Sequence, residues 1–140
     1  RVIESLAPAV ETLLRQIAPD EQVVTSSDGG EAVAEVPLRF PDGIGRGRVV
    51  ASLFRYHNTV RLDIDLDHNR HFAKPNGLPS ERRCFLNDYK ASAILRPGAT
   101  QLPDDFETKV VSGVRSAADA VQRYNREHQE AWNQIRVAEV

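Results

Sequence analysis

With 140 residues and a formal charge of -2, the chain suits one domain, 1–140, that buries roughly 70% of the surface its unfolded form would expose. Interspersed acids and bases that nearly cancel argue against a nucleic-acid binder or a polybasic membrane surface, and no apolar run approaches the roughly 20 residues that span a bilayer. The single cysteine, Cys84, excludes an internal disulfide framework and makes a reducing, cytoplasmic compartment the simplest expectation. The chain starts at Arg1 without an initiator methionine, so a processed leader segment stays open. Lysine occurs only at Lys74, Lys90 and Lys109 against a larger number of arginines, a usage that suits a bacterial coding sequence.

The first element is a helix. Ile3, Leu6, Val10, Leu13 and Ile17 step by three and four, one stripe of an amphipathic helix over Val2 to Ala18. Pro8 belongs in a first turn, where its missing N–H costs nothing, so the regular part begins near Ala7. Pro19-Asp20 ends it. Glu21 to Ser26 then reads as a short strand, and Ser27-Asp28-Gly29-Gly30 as the tight turn after it. Glu31 to Phe40 alternates Ala32, Ala34, Val36, Leu38 and Phe40 against a more polar set, and Pro37, which cannot donate to a ladder, places this strand at an edge or a bulge. Pro41-Asp42-Gly43 is a turn.

Arg48 to Asp67 carries the clearest pattern in the chain. Val60, Leu62, Ile64 and Leu66 alternate with Arg61, Asp63, Asp65 and Asp67, a strand with one buried and one wet face. A two-residue loop at His57-Asn58 sets Val49, Ala51 and Leu53 opposite Leu66, Ile64 and Leu62, and Arg48 opposite Asp67. A three-residue loop would instead turn Phe54 and Tyr56 inward, because a one-residue slip exchanges the two faces.

The alternation stops at His68, and Lys74-Pro75-Asn76-Gly77 with Pro79 predicts an exposed loop from His68 to Pro79. Arg82 to Leu86 and Lys90 to Arg96 read as two strands joined around Asn87-Asp88, with a short helix over Ser80 to Tyr89 as the alternative. Pro103 and Asp104-Asp105 then open a long helix to about Ile135. Val110, Val114, Ala117, Val121, Tyr124, His128, Ala131 and Ile135 form its stripe, close to a heptad repeat. At 1.5 Å per residue such a helix is roughly 50 Å long, more than a small sheet is wide. The expected fold is therefore α+β: an N-terminal helix, an antiparallel meander of about five to six strands, and a long C-terminal helix, both helices on one face of the sheet.

Asp63, Asp65, Asp67, His68 and His71 are the residue types a divalent metal takes, and Asp67, His68, His71 and Cys84 are the candidates for a metal or small ligand. Strand geometry spaces the aspartates about 7 Å apart, too wide for three to close on one ion. The calcium-loop pattern also fails, since His68 stands where its glycine belongs. A solvated face paired with Arg48, Arg55 and Arg61 is the expected role, with no metal and no cofactor. Cys84 beside Arg82 and Arg83 would be a nucleophile only with His68 or His71 as its base; otherwise it is a small buried residue. Gly43-Ile44-Gly45-Arg46-Gly47 does not lead a strand into a helix and so is no phosphate cradle, and there is no GxSxG elbow.

No constellation commits the chain to a reaction, and a binding protein is expected rather than an enzyme. Tyr124, His128, Trp132 and Ile135 gather residue types favoured at interfaces on the far end of the long helix. The expected partner is another protein, a second copy included, with no nucleic acid and no membrane. In its order of elements alone the chain resembles the specialised chaperones of bacterial secretion systems, which implies terminal helices around a strand meander, dimerisation and a protein partner. The alternative is a metal or small-ligand binder, or an enzyme, that uses the 68–79 loop.

Overall fold

A computed structural model describes the backbone of residues 4–28, 30–39, 47–73 and 79–138, with side chains described for these except 4, 68–73, 79–88, 125 and 128–138. A single 3-10 turn, Glu4–Leu6, leads into helix α1, Ala7–Ile17, with Pro8 in its first turn. Five strands follow: β1 Val24–Asp28, β2 Glu31–Leu38, β3 Gly47–Tyr56, β4 Thr59–Ala73 and β5 Pro79–Leu95. Helix α2, Phe106–Ala138, comes last. The strands form one antiparallel sheet in the order β1-β2-β3-β4-β5, the meander expected from short turns between successive runs.

The β3–β4 hairpin has the two-residue-loop register. Val49 opposes Leu66, Ala51 opposes Ile64, Leu53 opposes Leu62, and Arg48 opposes Asp67. His57 takes φ 56 at the first loop position, the positive angle that hairpin turns matching strand twist demand. β1 extends through Ser27 and Asp28, which a turn was expected to occupy, and Asp28 pairs with Glu31. Pro37 still faces Arg48 of β3, but it lies past the last β1 pairing, Val24 with Glu35, where one flank of β2 is an open edge.

The register aligns side chains across strands. Ala32, Leu53, Leu62 and Ala93 form one inward row; Ala34, Ala51, Ile64 and Ala91 the next; Val36, Val49, Leu66 and Tyr89 a third. Leu62, Ile64, Leu66, Val36 and Val49 are fully buried, and they join one apolar cluster with Leu6 of the 3-10 turn, Val10, Leu13 and Leu14 of α1 and Val110 and Val114 of α2. Both helices therefore cover the same face, α2 over β4 and β5, α1 over β2 and beside α2. Each fully buried Leu, Ile or Val stabilises by about 1.5–3 kcal/mol relative to exposure. Ser5 Oγ donates to the Ala99 carbonyl at 2.8 Å, tying the amino-terminal turn to the connection before α2.

Residues 68–96 differ from expectation. The loop expected from His68 to Pro79 is strand through Ala73, and β5 begins at Pro79; 74–78 lie outside the described residues, as does the Pro41-Asp42-Gly43 turn. The two strands expected at 82–86 and 90–96, and the alternative helix over 80–89, are replaced by one seventeen-residue strand. Asn87-Asp88 is a bulge rather than a turn: Leu66 opposes Tyr89 but Asp67 opposes Asn87, leaving Asp88 extra. A second irregularity sets the three residues 83–85 of β5 against the single Asn69 of β4, between the pairings His68–Leu86 and Arg70–Arg82. The bulge at Asp88 adds one residue and turns the alternation of β5 over, and the second irregularity adds two more, so the sequence loses its period while the ladder continues.

Candidate functional site

The uncovered face of the sheet carries the aspartate row. Asp63, Asp65 and Asp67 of β4 lie between Ser52, Val50 and Arg48 of β3 and Ser92, Lys90 and Asn87 of β5. Asp63 is the best satisfied. Arg61 Nε donates to its Oδ1 at 2.9 Å, Ser92 Oγ donates to the same oxygen at 2.7 Å, and Arg61 lies over the rings of Phe54 and Tyr56 at 5.9 and 5.7 Å. Burial pushes the Asp63 carboxyl up, but the hydrogen bonds from Arg61 and Ser92 with the charges of Arg61 and Lys90 outweigh it, holding the group below its usual range. The same hydrogen bond and the Asp63 charge raise Arg61.

Asp67 is held by Arg48 Nε at 3.4 Å, and Arg48 also donates to Glu35 at 3.2 Å. Asp65 is the odd member. Its Oδ1 is buried without a hydrogen-bond partner, and Lys90 Nζ stands 4.0 Å away, too far to donate. Burial raises the Asp65 carboxyl, and Asp67 and Asp63 on either side add to the rise against the pull of Lys90. The face is thus paired with Arg48 and Arg61, two of the three expected arginines, plus Lys90, while Arg55 stands opposite Val60, out of phase with the aspartates. Among the described residues no three His, Cys, Asp or Glu converge as a metal site would require.

The other candidates divide in two. His68 and His71 lie on β4, not in a loop, because the ladder runs on to Ala73; His68 opposes Leu86 and His71 opposes Glu81. Cys84 lies within the bulged stretch of β5, three residues from Glu81. Within the expected 68–79 loop, 68–73 and 79 are therefore strand, while 74–78 and the side chains of His68, His71 and Cys84 lie outside the described residues. On α2, Val121 is buried and Tyr124 half-buried, while Arg123, Arg126 and Glu127 are exposed. His128, Trp132 and Ile135 continue the helix, their side chains again outside the described residues.

The α1 side of the sheet carries a feature that no sequence motif marks. A cleft of about 300 Å3 opens between α1 and the β1–β3 end of the sheet. Ala7 and Val10 of α1 wall it, and Ala32, Ala34, Ala51 and Leu53 floor it. Glu11, Thr25 and Ser27 stand among the lining residues as its polar groups, with Ser26 beside them. The run of alanines at inward strand positions was its only sequence signal, and whether a helix closes over such a run depends on how α1 sits.

Among the described residues no helix is long and apolar enough to cross a membrane. Comparison with protein-family models, curated proteins and solved structures finds no match.

Proposed function

We propose that the protein is a single-domain binding module of bacterial type, an accessory or chaperone-like protein without chemistry of its own. It engages another protein, a second copy included, through the far end of α2. The reach of that helix carries the reading. Its 33 residues span roughly 50 Å at 1.5 Å each, and among the described residues those that pack on the central cluster, Phe106, Val110, Val111, Val114 and Ala117, lie in its first dozen positions. Beyond Val121 and Tyr124, the spacing of His128, Trp132 and Ile135 continues the same stripe, flanked by exposed Arg123, Arg126 and Glu127. Two such stripes pair across a twofold axis as readily as one pairs with a partner's helix. A large aromatic residue on such a stripe is the natural anchor.

Light scattering on the full chain tests this. The wild type is expected at twice the monomer mass, and Trp132→Ala at the monomer mass with unchanged circular dichroism. A monomeric wild type, or a dimer that survives both Trp132→Ala and Tyr124→Ala, removes the self-association reading.

A further inference from the structure

We infer that the cleft between α1 and the β1–β3 end of the sheet is a binding site for small apolar molecules that carry a cationic amine. The first support is missing bulk. Along the inward row that includes Ile64, side-chain size falls from Ile64 to Ala51 and Ala34, and Ala32 ends the neighbouring row beside Leu53. Elsewhere on this face Leu62, Leu66, Val36 and Val49 are fully buried, and the alanines of the opposite flank, Ala91 and Ala93, lie on β5, over which α2 packs. Protein interiors seldom leave a gap larger than a water molecule, and one larger side chain at Ala34 would close this one. Its volume of about 300 Å3 instead sits at the lower end of small-ligand sites.

The second support is the chemistry of the rim. Thr25 and Ser27 face inward on β1, opposite Ala34 and Ala32, and their hydroxyls form no hydrogen bond with other described residues. Glu11 is the one charged residue among the described residues of the lining. Arg15 holds its Oε2 at 3.6 Å but is itself 65% exposed, and it is not part of the lining. An apolar floor with one carboxylate and two free hydroxyls at its mouth suits an alkyl or aryl chain ending in an ammonium group, whose donors match those acceptors. The same carboxylate repels an acid. This site is independent of the α2 surface: neither requires the other.

Backbone amide NMR of the full chain at low salt tests it, with 1-hexylamine, 1-hexanol and hexanoate as probes. Hexylamine, protonated at neutral pH as a lysine side chain is, should shift amides at Val10, Thr25, Ala32 and Ala34. It should bind about two- to fivefold more tightly than hexanol, the range of one partly exposed charge pair, and hexanoate should bind weakest. Ala34→Leu should weaken all three at least tenfold with the rest of the spectrum unchanged, and Ala32→Leu should do the same if the first variant misfolds. Glu11→Gln should keep hexanol binding and erase the preference for the amine. Shifts scattered away from the cleft, binding unchanged by both leucine variants, or an amine preference that survives Glu11→Gln would each overturn the assignment.

Discussion

The ring of Tyr89 occupies the space that a side chain at residue 113 would need: a Cβ added to Gly113 would overlap the ring and lie 2.8 Å from its hydroxyl oxygen. Tyr89 stands at the β5 end of an inward row and reaches the Lys109 carbonyl at 3.4 Å, so α2 crosses β5 here at close range. Gly113→Ala should therefore destabilise the protein by about 1–3 kcal/mol through overpacking, although alanine is worth about 1 kcal/mol more than glycine in a free helix. In a Tyr89→Ala background the same change should become neutral or stabilising. Urea unfolding of the four proteins in this cycle measures the coupling directly.

The two faces of the sheet should answer truncation differently. Leu62 is fully buried at the centre of the cluster, and Leu62→Ala should lower stability by about 2–5 kcal/mol. Ile94, on the opposite face, is 64% exposed, so Ile94→Ala should stay within about 0.5 kcal/mol of wild type. Denaturant midpoints at a common slope check both. Equal losses would mean that the bare face is covered in solution.

Asp63 and Asp65 should produce opposite dependences on pH. The folded Asp63 carboxyl lies below its ordinary 3.8, so it contributes stability above pH 3.8 that is lost as pH falls through its lower folded value. Asp63→Asn should destabilise at neutral pH, and the deficit should close only below pH 3.8. Asp65 lies above 3.8 when folded, so it favours folding only when protonated. Asp65→Asn should stabilise at neutral pH, by no more than about 1 kcal/mol, because the side chain keeps some contact with screening solvent. That gain should fade earlier in acid, as pH falls through the raised value. Thermal unfolding across pH 2.5–7 separates the two windows.

Asp105 enters α2 with φ 64, and its carbonyl accepts the Lys109 amide at 3.0 Å. A branched side chain is strained in that left-handed conformation. Asp105→Val should cost about 1–2 kcal/mol, while Asp105→Gly should stay within about 0.5 kcal/mol, its relief of strain offset by a more flexible unfolded chain. Melting temperatures of the two variants decide it.

What could be read from the sequence was whatever a local period encodes. Val60 to Asp67 keeps a strict two-residue alternation next to a two-residue turn, and that pair of constraints determined the register of β3 and β4 residue by residue. The stripe of α2 through Val121 was legible for the same reason. Residues 68–88 were not, because the bulge at Asp88 shifts the phase of the alternation, a second irregularity sets three residues against one, and Asn87-Asp88, good turn formers, serve in a bulge instead. The helix-side cleft could not be read at all. Alanines at 32, 34 and 51 are compatible with a helix packed tightly upon them or held slightly off, and only the placement of α1 by Leu13 and Leu14 decides between these.

Because the sheet follows the order β1-β2-β3-β4-β5, each strand forms its ladder with its immediate predecessor in the chain. Pairing can begin at the His57-Asn58 turn and zip outward in both directions without a large loop ever closing. A bond from Ser5 to Ala99, 94 residues apart, does span most of the chain. Folding of the sheet should accordingly be fast for its size, with α1 docking as a later event. A chain that lacked α1 would retain every strand pairing, but one side of its apolar rows would be open to water.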